Sequence, residues 1–187
     1  MAIQLAKRLL TIDEYHRMAE AHILTDEDKV ELLHGEIIEM SPIGSEHSAC
    51  VKRLNAFFNQ LLVEKAIVSV QDPIQIPSLS EPEPDIALFH PRLNFYADAH
   101  PLPKDVFLVI EVADSSLLKD RQVKLPIYAS AGIPEYWIIN LEQKRVEAYR
   151  HPRDNQYLSQ TISEIGEKVH LAAFGVDIAC DQLLMPS

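Results

Sequence analysis

Residues 106–140, VFLVIEVADSSLLKDRQVKLPIYASAGIPEYWIIN, constrain the fold more than any other stretch of the chain. The opening run, residues 106–110 with Val112 after it, is apolar and rich in β-branched side chains. It is too short for a buried helix, so it reads as a strand covered on both faces. Glu111 sits at the far end of this run, where a central strand tolerates charge least. A buried carboxylate without a partner is costly, so Glu111 needs a cation, a hydrogen-bond donor or water. Asp114, Ser115 and Ser116 break the strand, and a basic, polar crossover follows. A second apolar strand, residues 136–139, comes after Gly132-Ile133-Pro134. Strand, crossover, strand is the outline of an α/β unit.

The rest of the chain supplies elements to pack around that unit. Residues 11–21 read as a helix, with Thr11 as N-cap and Glu14 completing a capping box. Residues 29–40, KVELLHGEIIEM, read as a hairpin turning at His34-Gly35. Residues 46–65 read as the longest helix, with Cys50, Val51, Leu54, Phe57, Phe58, Leu61 and Leu62 as its apolar stripe. His47 falls in its first turn, where the positive end of the helix disfavours a charged imidazole. Residues 66–76 alternate weakly as a strand, and a proline-rich acidic loop leads to Asp85 at the entrance of a short strand, residues 86–89. A proline-flanked, lid-like loop spans residues 90–104. Beyond Asn140, residues 145–149 form a hairpin with the preceding strand, strands at 157–162 and 169–171 extend the sheet, and the tail closes in a short turn. The chain shows no internal repeat.

At 187 residues the chain has the size of one domain, 1–187. No apolar run is long enough to span a bilayer, and the N-terminal segment turns acidic too soon for a signal peptide. Cys50 and Cys180 are far apart with no CxxC, which argues against a zinc site or a disulfide framework. Together these features predict a cytoplasmic protein without membrane partners. The formal charge of −11 weighs against extensive phosphate contacts, because counterion release normally requires a basic surface. Contact with a nucleic acid must then be local, metal-assisted or shared with another subunit.

Asp85 after a proline at a strand start, Glu111 at a buried strand end and Lys124 on the crossover form the set with chemical potential. Two carboxylates converging from neighbouring strands suit Mg²⁺ or Mn²⁺. Such an ion polarises a phosphoryl oxygen and acidifies water, while a nearby ammonium stabilises charge building on phosphate. The string EPD…VIEVADSSLLKDRQVKLPIYASAGIPEYWIIN, together with VELLHGEIIEMSP…H upstream, resembles the Uma-type branch of the PD-(D/E)XK, restriction-endonuclease-like nucleases. The likeness spans roughly residues 11–150, and EYW after GIP makes it far more specific than the short superfamily motif.

The resemblance implies a restriction-endonuclease-like core: a mixed α/β fold, its sheet flanked by helices, with an N-terminal helix and hairpin. It implies that Asp85, after Pro84, and Glu111 bind the metal. The superfamily's lysine should stand at Ala113, on the strand face of Glu111. Alanine cannot do that work, and the branch's D-x-x-x-K pattern, here Asp120 and Lys124, offers a relocated lysine on the crossover helix. Pro126 kinks or interrupts a helix through Lys124. Glu31, Glu36 and His47 match polar positions of the N-terminal signature and are expected along the far wall of the cleft. The expectation is therefore a Mg²⁺- or Mn²⁺-dependent endonuclease acting on DNA, with Asp85, Glu111, Lys124, His47 and Glu31 as its site. Two alternatives stay open: a nuclease fold acting as a binding or assembly module, and a phosphoesterase for small nucleotides. A homodimer would place two sites for two strands, and the apolar segment 133–139 is either a surface for it or equally part of the core.

Overall fold

The computed structural model describes residues 6–25, 27–77 and 79–184. Strands β1 (Val30–Leu33) and β2 (Glu36–Glu39) form the N-terminal hairpin, after helix α1 (Ile12–Glu20). Helix α2 (Ser45–Leu61) leads to β3 (Ile67–Ser69), β4 (Ile86–Phe89) and β5 (Val106–Ala113). The crossover runs through α3 (Leu117–Lys119), a wide turn at Asp120–Lys124 and α4 (Leu125–Ser130) into β6 (Glu135–Asn140). Strands β7 (Arg145–Arg153), β8 (Gln156–Glu164), β9 (Lys168–Leu171) and β10 (Val176–Ala179) follow, then the short helix α5 (Cys180–Leu183). Six strands make one mixed sheet in the order β3-β4-β5-β6-β7-β8. Within it β5 and β6 run parallel, as a crossover connection requires, and the other pairs are antiparallel.

Period-two alternation along β5 sorts its side chains to two cores. Leu108, Ile110 and Val112 face the layer formed by α2, where Cys50, Val51, Leu54 and Phe58 pack with Trp137 and Ile139. Val109 and Ala113 face the crossover side, with Ile127 and Tyr128 of α4 and with Tyr136 and Ile138. Glu111, between Val109 and Ala113, therefore points to the crossover side. Burial on both faces explains why β5 reads as an unbroken apolar run rather than an alternating one. The capping box at Thr11 and Glu14 is formed, with Glu14 N–H donating to Thr11 Oγ1 at 3.2 Å and Thr11 N–H to Glu14 Oε2 at 3.0 Å. At the hairpin turn, Gly35 has φ +76° and a Cβ there would stand 2.7 Å from Leu9 Cβ, so both backbone and packing require glycine.

Several expectations are corrected. Ladder pairing in residues 66–76 is confined to β3, with one isolated bridge from Ile76 to Ser80, because Gln71 takes a left-handed φ of 56° and Pro73 has no N–H to give a ladder. Strand β8 extends the main sheet, whereas β9 pairs with β10 in a separate two-stranded sheet. Of the two readings of segment 133–139 the core one holds, since Ile133, Tyr136, Trp137, Ile138 and Ile139 are all fully buried. The reading that the N-terminus is not a signal peptide rests partly on residues 1–5, and the expected tail extends to 185–187; both stretches lie outside the described residues. Among the described residues no helix is long and apolar enough to cross a membrane.

Candidate functional site

The β4–β5 register assembles the centre of the site. Ile86 pairs with Ile110, and one step further the same antiparallel register sets Asp85 opposite Glu111. Directly opposed residues have Cβ atoms about 5 Å apart. The Val112 N–H donates to Asp85 Oδ2 at 2.9 Å, tying the loop that precedes β4 to the end of β5. His47, in the first turn of α2, places Nε2 3.0 Å from the same oxygen, and the Gln71 amide donates to Oδ1 at 3.3 Å. The left-handed backbone at Gln71, which ends β3 early, is what turns this segment back toward Asp85.

The crossover brings cations to the same place. Lys124, only 3% exposed, donates from Nζ to Glu111 Oε1 at 3.0 Å, and the Tyr128 hydroxyl donates to that oxygen at 2.8 Å. Lys124 Nζ also stands 3.0 Å from Glu31 Oε2. Lys119 Nζ donates to Glu31 Oε1 at 3.0 Å, and the Glu83 N–H donates to Oε2 at 3.3 Å. Glu31, fully buried on β1, thus ties two lysines of the crossover to the N-terminal hairpin. Asp120 is buried beside them and accepts from the Ser116 hydroxyl at 2.6 Å. Pro126 does not break the crossover. Its missing N–H and its ring exclude an ordinary α-turn onto Gln122. The helix widens just before it, with Leu125 N–H reaching back to Asp120 C=O.

Charge and burial compete throughout this network. Burial pushes Glu111 up to about 8; Lys124 opposes that rise, while Asp120, Asp85 and Glu31 add to it. Burial also pushes Asp120 upward. Desolvation pulls the Lys124 ammonium down, yet Glu111, Glu31 and Asp120 outweigh it and hold the ammonium above its ordinary range. For His47 the helix N-terminus argument fails. Its bond to Asp85 raises the imidazole above its usual value, against burial and with further help from Asp85, Asp114 and Asp120. A carboxylate at hydrogen-bond distance outweighs a half-charge of helix dipole. His47 Nδ1 is buried and has no partner among the described residues.

These groups line one cavity of about 590 Å³, which includes Glu31, His47, Gln71, Glu83, Asp85, Glu111, Lys119, Asp120 and Lys124. Five of the residues singled out from sequence, Asp85, Glu111, Lys124, His47 and Glu31, are therefore brought together. Glu36 is not: it lies on β2 with its side chain exposed and paired to Lys7 at 2.9 Å. The loop 90–104 contributes no residue to this cavity and is folded onto Phe89 through Tyr96. Lys119, Gln71 and Tyr128 were invisible in sequence. Each is an ordinary polar residue whose role follows only from where the crossover and the β3–β4 connection run.

No three His, Cys, Asp or Glu side chains among the described residues are already gathered as ligands. The donor chemistry nevertheless fits a hard divalent ion. Mg²⁺ is commonly held by one or two carboxylates, with waters and substrate oxygens completing the shell. Asp85 and Glu111 are opposed, and Glu111 Oε2 accepts no hydrogen bond from the described residues. Among the described residues, Asp85 Oδ1 accepts only the long bond from Gln71.

Comparison with known proteins gives two findings. A family model, Uma2, described as a putative restriction endonuclease, matches residues 12–181. Among solved structures, the chain resembles a putative nuclease belonging to DUF820 from Anabaena variabilis, with a TM-score of 0.69 at 17% identity. That alignment covers 93% of this chain and 97% of the other, and at such low identity it shows the fold alone. No curated protein matches the chain.

Proposed function

Since the chain belongs to the Uma2 family of putative restriction endonucleases, we propose that it hydrolyses DNA phosphodiester bonds at the cavity beside β5. The observation that carries this reading is the opposition of Asp85 and Glu111 at one sheet end, with Lys124 Nζ 3.0 Å from Glu111 Oε1. In this reading Asp85 and Glu111 hold a Mg²⁺ or Mn²⁺ ion, which when bound polarises the phosphoryl oxygen and acidifies the attacking water. Lys124 takes the part of the lysine absent at Ala113, presenting its ammonium to the negative charge that builds on the phosphate. Lys119, less buried and nearer the mouth, holds a second phosphate oxygen. His47 fixes the rotamer of Asp85 through their shared hydrogen bond. Glu31 holds both ammoniums at 3.0 Å and aims them into the cavity. Cutting both strands of a duplex calls for two copies of the site, and a twofold homodimer supplies them.

Purified protein is to be incubated with supercoiled plasmid in Mg²⁺ and in Mn²⁺, alongside Asp85→Asn and Glu111→Gln purified identically. Cleavage by the wild type and a loss of at least about 100-fold in both variants is the expected result. Cleavage that persists in both variants would refute the assignment.

A second reading has one observation in its favour: Glu111 Oε1 is already closed by Lys124 and Tyr128. A nuclease fold used for binding or assembly would keep that closure and take up no ion. Calorimetric titration with Mn²⁺ separates the two, since saturable binding lost in Glu111→Gln excludes the second.

A further inference from the structure

The crossover holds a device that neither the carboxylate pair nor the D-x-x-x-K pattern accounts for. Lys119 and Lys124 are five residues apart. In an α-helix that spacing puts two side chains roughly 140° apart around the axis. Both nevertheless reach the same carboxylate, Glu31, at 3.0 Å each. The wide turn explains this: one extra residue in the turn carries Lys124 round to the side of Lys119. Such a turn needs an anchor, because its hydrogen bonding is poorer than that of the α-helix it replaces.

The anchor is Arg121, on the far side of the same turn. Its Nε donates to Glu147 Oε2 at 3.0 Å and its Nη2 donates to Oε1, a two-pronged pair. Glu147, on β7, is fully buried and is itself fixed from two further directions. Arg145 donates from Nε and Nη2 to Oε1 at 3.0 Å each, and the Tyr149 hydroxyl donates to Oε2 at 2.9 Å. The Gln160 amide on β8 braces that hydroxyl at 3.0 Å. Tyr136, on β6, donates from its hydroxyl to the Asp120 carbonyl at 3.3 Å, fixing the start of the turn. None of Arg121, Arg145, Glu147 or Tyr149 lines the cavity. A buried carboxylate with this many donors, two strands away from Glu111 in the sheet, has no place in the chemistry proposed above.

We infer that Arg121 and Glu147 are positioning residues: they lock the wide turn against the sheet and so set the two ammoniums over the Asp85–Glu111 pair. The inference deepens the nuclease reading and rests on it for its catalytic consequence, but its structural core is independent of activity. Loss of the lock lets the turn relax and moves Nζ of Lys119 and Lys124 by a fraction of an ångström to an ångström, which at a reacting centre costs on the order of 10- to 100-fold in rate.

The test uses Glu147→Gln and the milder, more exposed Arg121→Gln, with Glu135→Gln as a matched control. Glu135 is an equally buried carboxylate on β6, held by Arg150 and Trp137 at 2.7 Å each and by Ala172 N–H at 3.0 Å, away from the cavity. Two readouts are taken on the full chain: amide hydrogen exchange of residues 117–125, and kcat and KM for plasmid cleavage. The expected result is faster exchange across 117–125 and a kcat at least tenfold lower at little-changed KM in the Arg121 and Glu147 variants, with neither change in Glu135→Gln. Unchanged exchange in 117–125 overturns the inference, and so does faster exchange with an undiminished kcat. If Glu147→Gln does not fold, Arg121→Gln decides on the same criteria. If the wild type cuts nothing, the nuclease reading falls by itself, and the exchange data still decide whether the lock exists.

Discussion

Replacing Lys124 by Met tests the charge logic of the site without relying on activity. Lys124 lies 3.0 Å from both Glu111 and Glu31, and all three are buried. At an effective dielectric of about 20, each contact is worth roughly 5 kcal/mol of attraction when both partners are ionised, which for Glu111 means above about pH 8. Desolvation of the ammonium offsets much of that, so removing one partner of such a network costs about 3–5 kcal/mol. The pH dependence is the sharper part. Glu111 is held up to about 8, above its unfolded value near 4.5, so its contribution is fully present below pH 4.5 and is lost as pH rises through 8. Without Lys124, which lowers it, that carboxyl rises further, and the variant's folded state keeps a proton that the wild type has released. Between pH 7 and 9 the stability of the variant must therefore fall more steeply, by up to ~1.4 kcal/mol per pH unit. Urea unfolding of both proteins at pH 6, 7, 8 and 9 measures the gap. A gap that stays constant or narrows as pH rises would refute the claim that Lys124 holds down a buried Glu111.

Other consequences follow from the same network. His47→Asn removes the bond that raises the imidazole; the stabilisation from that bond is fully present below about pH 6.5 and is lost as pH rises through the higher folded value. The difference in unfolding free energy between wild type and His47→Asn should thus be larger at pH 5.5 than at pH 8.5, and an inverse trend would count against the pairing. Glu31→Gln leaves two ammoniums sharing a neutral amide, and a loss of about 2–4 kcal/mol is expected by denaturant unfolding. Binding of a catalytically inert DNA duplex should weaken only mildly with salt, with a log–log slope of magnitude about 3 or less, because three lysines line the cavity and the chain carries −11. A slope near that of a broad basic groove would contradict a local contact.

Glu111 was legible because a carboxylate in an apolar strand must have a partner, and physical chemistry alone picks it out. Asp85 was legible as a turn residue at a strand start, but its opposition to Glu111 depends on a β4–β5 register that no local pattern encodes. Lys124 became visible through resemblance to a known pattern, while Lys119, with the same contact to Glu31, looks like any solvated lysine. The helix dipole gave the wrong sign for His47 because the nearest opposite charge, Asp85, is 38 residues away in sequence. Glu36 and Glu31 look alike in the hairpin, yet Leu33 pairs with Glu36 beside the turn, where the side chain meets Lys7 and water. Residues 66–76 alternate as a strand should, but one left-handed residue and one proline end the pairing. Failures of this kind arise where tertiary contacts or a single backbone angle override a local signal.

A lysine moved from the strand to the crossover need not change what the site can do, because chemistry depends on where Nζ sits and not on where the chain carries it. From position 113 a lysine would rise from β5 itself and share the face of Glu111. From position 124 it descends on that face from the layer above, and its ammonium ends 3.0 Å from Glu111 Oε1. Alanine at the strand position costs nothing once the lysine has moved, since Ala113 sits in the apolar cluster with Ile127 and Tyr128. The crossover position is more demanding: it holds only if the helix has the right phase and depth over the sheet. Pro126 selects a wide turn, the pair of Arg121 with the buried Glu147 fixes its height, and Glu31 gives the ammonium a second carboxylate to span. That is why Asp120, Lys124 and Pro126 have to be read together with residues on β1 and β7, and why a match to the short motif alone would have missed the residues that make the relocation work.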